Sequence, residues 1–171
     1  MANCNSIKTF EYDACASSLG GIKHIFLADY KEDAATVGSG ETVTFAEDVT
    51  WLHYPIRKNT ASMTSTLNVG DGGSYISTEL AMVFTKMETA KRMGIQSIIL
   101  GEAMAVVQDS NNHFWFLGKD APLTSTAGGG ETGVNKSDRN AYTLTLTDES
   151  LELPYELDET EVVKLNNLIK Q

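Results

Sequence analysis

Apolar positions along this chain recur mainly at every second residue, the period of a strand with one buried face. Residues 22–30 (IKHIFLADY) are apolar with mixed alternation, so a strand there is buried on one face and partly on the other. A polar loop follows over 31–40, and 42–45 is a short strand. Residues 50–58 (TWLHYPIRK) put Trp51, His53 and Pro55 on one side and Leu52, Tyr54 and Ile56 on the other. Pro55 cannot donate to a ladder, which places this strand at an edge or a bulge. Residues 59–69 (NTASMTSTLNV) carry no charge. Their alternation turns Ala61, Met63, Ser65, Leu67 and Val69 to one side and Ser62, Thr64, Thr66 and Asn68 to an open polar face. Gly70, Asp71, Gly72 and Gly73 then break the strand.

The period changes after Gly73. Ile76, Leu80, Val83, Phe84 and Met87, continued by Ala90, predict a central amphipathic helix. Ser77 or Thr78 caps it, Glu79 lies in its first turn, Lys91 and Arg92 lie in its last, and Gly94 stops it. Strands return at 95–101 (IQSIILG) and 103–109 (AMAVVQD). The turn chemistry of Asp109, Ser110, Asn111 and Asn112 joins the latter to 113–117 as a hairpin. Residues 141–147 (AYTLTLT) alternate cleanly, with Tyr142, Leu144 and Leu146 inward, and 150–154 is a shorter strand. Asp158 and Glu161 resemble a capping box that opens a C-terminal helix over 158–170, with Val162, Leu165, Leu168 and Ile169 on one face.

Seven to nine strands in hairpin-linked runs, with two helices, predict a mainly β (α+β) fold. The expected architecture is an antiparallel β-sandwich or barrel with one central amphipathic helix, a long hairpin arm and a C-terminal helix. A length of 171 residues fits one domain, 1–171. The arm is the Gly-, Ser- and Thr-rich tract over 119–138, too poor in apolar residues to bury a core of its own.

The net charge of −10 argues against a sequence-reading nucleic-acid binder, because Lys and Arg supply affinity for phosphate. Seven acids between Asp148 and Glu161, with no Lys or Arg among them, form a solvated acidic surface or meet a basic neighbour. No apolar run reaches the roughly 18 residues of a membrane span, and the first residues lack the basic-then-apolar order of a signal peptide, so no membrane anchor is expected. Without a secretory signal, Cys4 and Cys15 are expected to be reduced thiols.

No catalytic set emerges. His24, His53 and His113 are scattered and read as structural, and no metal-binding spacing exists. Asp109, Asn111 and Asn112 lack the rest of a calcium loop. Gly128, Gly129 and Gly130 are not followed by the Lys of a phosphate loop, and neither cysteine has a base placed by local spacing. The expectation is a protein that is not an enzyme and has no cofactor and no metal.

The segments STLNV, SYISTELAMVFTKMETAKRMGIQSIILGE, WFLGKDAPLTSTAGGGETG and LTLTDESLELPYEL resemble a family of virion proteins of tailed bacteriophages and prophages of gut Bacteroidetes, crAss-like phages included. The likeness runs from about Gly20 to Leu157. The order of elements is also similar to the tail-tube fold. The resemblance implies a viral tail protein: a structural subunit of a homo-oligomeric tail tube, tail terminator or neck/tail ring, through which DNA passes during ejection. It implies a virion location after synthesis in the host cytoplasm. The implied partners are identical subunits, adjacent virion tail and neck proteins, and DNA in transient, non-specific passage. On this reading Lys119, Thr124, Ser125, Thr126, Gly129, Glu131, Asn135, Lys136 and Arg139 of the arm lie at the subunit interface, where basic arm residues meet an acidic part of a neighbouring copy. Ser62, Thr64, Thr66 and Asn68 face the lumen. The alternative is a β-sandwich that binds a carbohydrate or host surface through Trp51, Trp115 and Tyr142.

Overall fold

A strand with apolar residues at nearly every position must be covered on both faces. The run AMAVVQ is such a strand, and the fold is layered around it. The structure, a computed structural model, describes residues 8–13 and 15–170; Cys4 lies outside them. Among the described residues the elements are β1 (Ile22–Asp29), β2 (Ala35–Val37), β3 (Thr42–Phe45), β4 (Leu52–Tyr54), β5 (Ala61–Gly70), β6 (Gly73–Thr85), α1 (Thr89–Leu100), β7 (Ala103–Asp109), β8 (Phe114–Leu117), β9 (Thr124–Glu131), β10 (Ala141–Ser150), β11 (Tyr155–Leu157) and α2 (Glu159–Ile169). They make a seven-stranded sheet, β2-β3-β11-β8-β7-β1-β4, and a four-stranded sheet, β5-β6-β10-β9. Neighbouring strands are antiparallel except β11 and β3.

The seven-stranded sheet is the middle layer. One face, with Ile25, Leu27, Ala105, Val107 and Leu117, packs on Leu80, Met82, Phe84, Leu144 and Leu146 of the four-stranded sheet and on Ile95 and Ile98 of α1. The other face, with Phe26, Ala28, Met104, Val106, Phe114 and Phe116, packs with Leu165 of α2. The result is a β-sandwich with one central and one C-terminal helix, the expected fold class. α2 starts as expected: the Asp158 carboxylate accepts the Thr160 N–H at 3.0 Å, and Glu159 and Glu161 lie in the first turn. The capping box does not close, because the Asp158 N–H donates to the Val43 carbonyl at 3.0 Å. Glu161 is instead buried and accepts from Lys164 at 2.8 Å.

Several expectations are corrected. The predicted helix from 77 to 92 is mostly β6, with Thr78, Leu80, Met82 and Phe84 buried at every second position. The central helix lies later, and 95–101, read as a strand, supplies most of its second half. Gly94 sits inside α1, not at its end. The polar loop over 31–40 contains β2, which pairs with β3. Of the predicted strand over 150–154 only Ser150, the end of β10, is in a strand; the chain bends after it, with the Ser150 hydroxyl donating to the Glu152 carbonyl at 2.7 Å. The strand at 50–58 shrinks to β4, and it ends before Pro55 at the sheet edge, as the proline requires.

The tract over 119–138 is not an extended arm. Its centre is β9, laddered to β10. Glycine disfavours strands, so the run Gly128–Gly130 needs a reason. Tyr142 lies directly opposite Gly130, and a Cβ on Gly130 would come within 3.0 Å of that ring. A Cβ on Gly128 would meet the Thr143 carbonyl at 3.0 Å, while one on Gly129 meets nothing. Gly129→Ala is therefore expected to be neutral or to stabilise by up to about 1 kcal/mol. Gly128→Ala is expected to destabilise, because a backbone carbonyl cannot swing aside. Paired thermal melts of the two variants check this.

Candidate functional site

The four-stranded sheet buries one face and leaves the other open. Cross-strand partners share a face, so Ser62, Thr64 and Thr66 of β5 lie beside Ala81, Glu79 and Ser77 of β6. Those stand beside Thr145, Thr147 and Glu149 of β10. On β9 the surface continues through Ala127 and Gly129, and the Thr126 and Thr147 hydroxyls lie 2.8 Å apart. The face is thus mainly hydroxyls and small residues, with few charges. Ser62, Thr64 and Thr66 are exposed on it, as expected; Asn68 is half-buried near the hairpin tip, where its amide donates to the Thr66 carbonyl at 3.2 Å.

The edges of the two sheets differ sharply. An unprotected edge strand is a template for pairing, and proteins usually blunt it with shortness, charge or proline. The seven-stranded sheet ends in β2 and β4, each three residues long. The four-stranded sheet ends in β5, ten residues, and β9, eight residues. β5 has no charge and no proline; β9 has no proline, and its one charge is the terminal Glu131. Beyond Ile76 the β5–β6 hairpin has no third strand, and its core-side residues Leu67 and Val69 are 64% and 78% exposed.

The nine predicted arm residues do not form one surface. Thr124, Thr126, Gly129 and Glu131 lie on the β9 edge strand. Ser125 turns inward, its buried hydroxyl without a partner. Asn135 belongs to a turn closed by Asp138, whose carboxylate accepts the Asn135 and Val134 N–H groups. Lys119 and Arg139 are engaged within the chain. Lys119 meets Glu152 at 2.9 Å and lies over the Tyr155 ring, and Arg139 meets Glu131 at 2.6 Å. A basic arm held ready for an acidic neighbour is therefore not what these side chains form; Lys136 alone of them makes no ion pair among the described residues.

The acidic run is likewise divided. Asp148 is buried, accepts the Gly118 N–H at 2.9 Å, and is held above the usual carboxylate range by desolvation; Glu161 is buried too. The others stay at the surface or half-buried. Asp109 closes a turn, accepting the Asn111 and His113 N–H groups and the Trp115 indole N–H. Among the described residues no group of three or more His, Cys, Asp or Glu is placed to hold a metal ion, and no helix is long and apolar enough to cross a membrane. Trp51 packs on Phe45 and Phe116 on one side of the middle sheet, whereas Trp115 and Tyr142 pack on the other. The three aromatics proposed as a stacking platform do not share a surface.

The His113 Nδ1–H donates to the Glu156 carboxylate at 2.5 Å, and that bond raises the imidazole pKa. A raised folded value stabilises the protein below the ordinary imidazole pKa of about 6.5 and is lost as pH rises through the folded value. The pair is about half exposed, so the effect is below about 1 kcal/mol. His113→Gln is expected to lower the melting temperature more at about pH 6 than at about pH 8.5.

No family model, curated protein or solved structure matches the chain.

Proposed function

We propose that the protein is a non-enzymatic bacteriophage virion subunit that closes into a homo-oligomeric ring of a tail tube or neck/tail assembly. The observation that carries this reading is the pair of long, unblunted edges on the four-stranded sheet. β5 and β9 run in opposite directions, being three antiparallel steps apart. Rotation about an axis along the strands preserves strand direction. The β9 edge of one copy therefore meets the β5 edge of the next antiparallel, and the sheet continues from copy to copy as a closed barrel. Closure removes both edges.

The buried face of this sheet carries the rest of the subunit, so the open hydroxyl face lines the inside. A wall with Ser62, Thr64, Thr66, Thr145 and Thr147 and an acidic net charge sets no Lys or Arg among these side chains to neutralise phosphate, which suits passage without sticking. Leu67 and Val69 at the hairpin tip supply a contact for an adjacent virion protein. Light scattering after size exclusion, with electron microscopy of the eluted material, tests the reading. The expected result is closed rings of one size with a central channel. A strict monomer at all concentrations, absent from phage particles, sinks it.

A further inference from the structure

We propose that His24 and His53 form a two-imidazole binding site for a divalent transition-metal ion of the zinc, nickel and copper class, at the β4 edge of the seven-stranded sheet. The inference is independent of ring formation. His24 lies on β1 and His53 on β4, and the two strands pair with Phe26 opposite His53. The alternation of a strand puts His24 on the same side as Phe26, so the two imidazoles meet over one face. Nδ1 of His24 and Nε2 of His53 are 3.1 Å apart. Two nitrogens at that spacing, each about 2.05 Å from a zinc ion, subtend about 98° at the metal, between the square and tetrahedral angles.

The rings are held in place. The His53 ring packs against Phe26 at 5.2 Å between centroids and lies 5.2 Å from the His24 ring. Gln108, buried, stands directly opposite His24 on β7, and His53 lies diagonally from His24 on β4, so the three polar side chains share one face. A hydrogen bond between the two rings requires an unprotonated nitrogen on one of them, and that lone pair is available to a metal. The Lys23 ammonium points elsewhere, to the Asn112 carbonyl at 2.7 Å. Imidazole nitrogen without carboxylate oxygen selects zinc, nickel and copper over calcium and magnesium. Without metal, one ring donates to the other across the same gap; the metal replaces that hydrogen bond, and water fills its remaining positions.

The test uses the full chain with Cys4→Ser and Cys15→Ser, because free thiols also take these ions. Zinc, nickel, copper, magnesium and calcium are titrated by calorimetry, and the three histidines are followed by NMR. One equivalent of zinc or nickel is expected to bind, with copper tighter and magnesium and calcium inert. The His24 and His53 signals shift while those of His113 stay. His24→Gln or His53→Gln, each checked for fold by circular dichroism, is expected to weaken binding by about tenfold or more, since a lone imidazole gives no chelate. Uptake unchanged by either Gln variant, or zinc that moves only His113, overturns the proposal.

Discussion

Proline placed at Thr64 and at Ser65, one substitution at a time, is expected to yield one folded monomer and one damaged subunit. Both residues lie in β5, the edge strand of the four-stranded sheet, and Ser65 pairs with Thr78 of β6. Backbone N–H groups of consecutive strand residues point in opposite directions, so one of the two points to β6 and the other to the free edge. Proline removes a donor in either case. On the β6 side it leaves a carbonyl unpaired, which costs about 1–3 kcal/mol and lowers the melting temperature. On the free side no ladder bond of the isolated chain is lost; the Ser65 hydroxyl also meets that of buried Thr78 at 2.9 Å, so relative to the matching alanine variant the melting temperature moves by only a few degrees. If copies join edge to edge, that second variant no longer forms rings. The pair is read against Thr64→Ala and Ser65→Ala, because the two prolines replace different side chains on opposite faces of β5. Rings that persist with the outward proline would show that the joint lies elsewhere.

Phe26→Ala is expected to be the most damaging single truncation of the folded chain. Phe26 is fully buried in the middle sheet and stacks near Phe114 and His53. Both its neighbours in β1, Ile25 and Leu27, are buried in the opposite core, so the backbone cannot shift to refill the space. Removing a buried phenyl ring costs about 3–5 kcal/mol. For a chain of this length each kcal/mol lowers the melting temperature by about 2–4 °C, so a fall of about 6–20 °C is expected in calorimetry. Phe10→Ala, at a position 89% exposed, is expected to change nothing. A Phe26→Ala fall no larger than the Phe10→Ala fall would refute the two-faced core.

The strands that cross the core were legible because their alternation survives in the chain. β1, β3, β5, β7, β8 and β10 fall where the apolar pattern puts them. β6 was misread for a physical reason. Its outer face carries Ala81 and Val83 in place of polar side chains, so Ile76, Leu80, Val83, Phe84 and Met87 mimic a helical stripe. The true helix hides its signals: its N-cap, Glu88, makes no side-chain cap, and Ile95 and Ile98 look like strand residues. One clue was present, since Ile95 and Ile98 are spaced i, i+3. β9 was illegible because glycine has no strand preference of its own, and its ladder depends on β10 and on Tyr142 opposite Gly130. The open hydroxyl face was readable as a pattern on β5. Its extension across β6, β10 and β9, and the contrast between blunt and unblunted edges, follow only from strand order.

The place of β11 has a further consequence. It lies between β3 and β8, pairing parallel to one and antiparallel to the other, so the β2–β3 hairpin joins the large sheet only through residues near the C-terminal end. During synthesis those early strands emerge long before their only bridge does. The large sheet therefore cannot close before residues 155–157 have emerged, and closing this long-range contact is a comparatively slow event. A chain stopped before residues 155–157 would leave β2 and β3 with no strand to carry them.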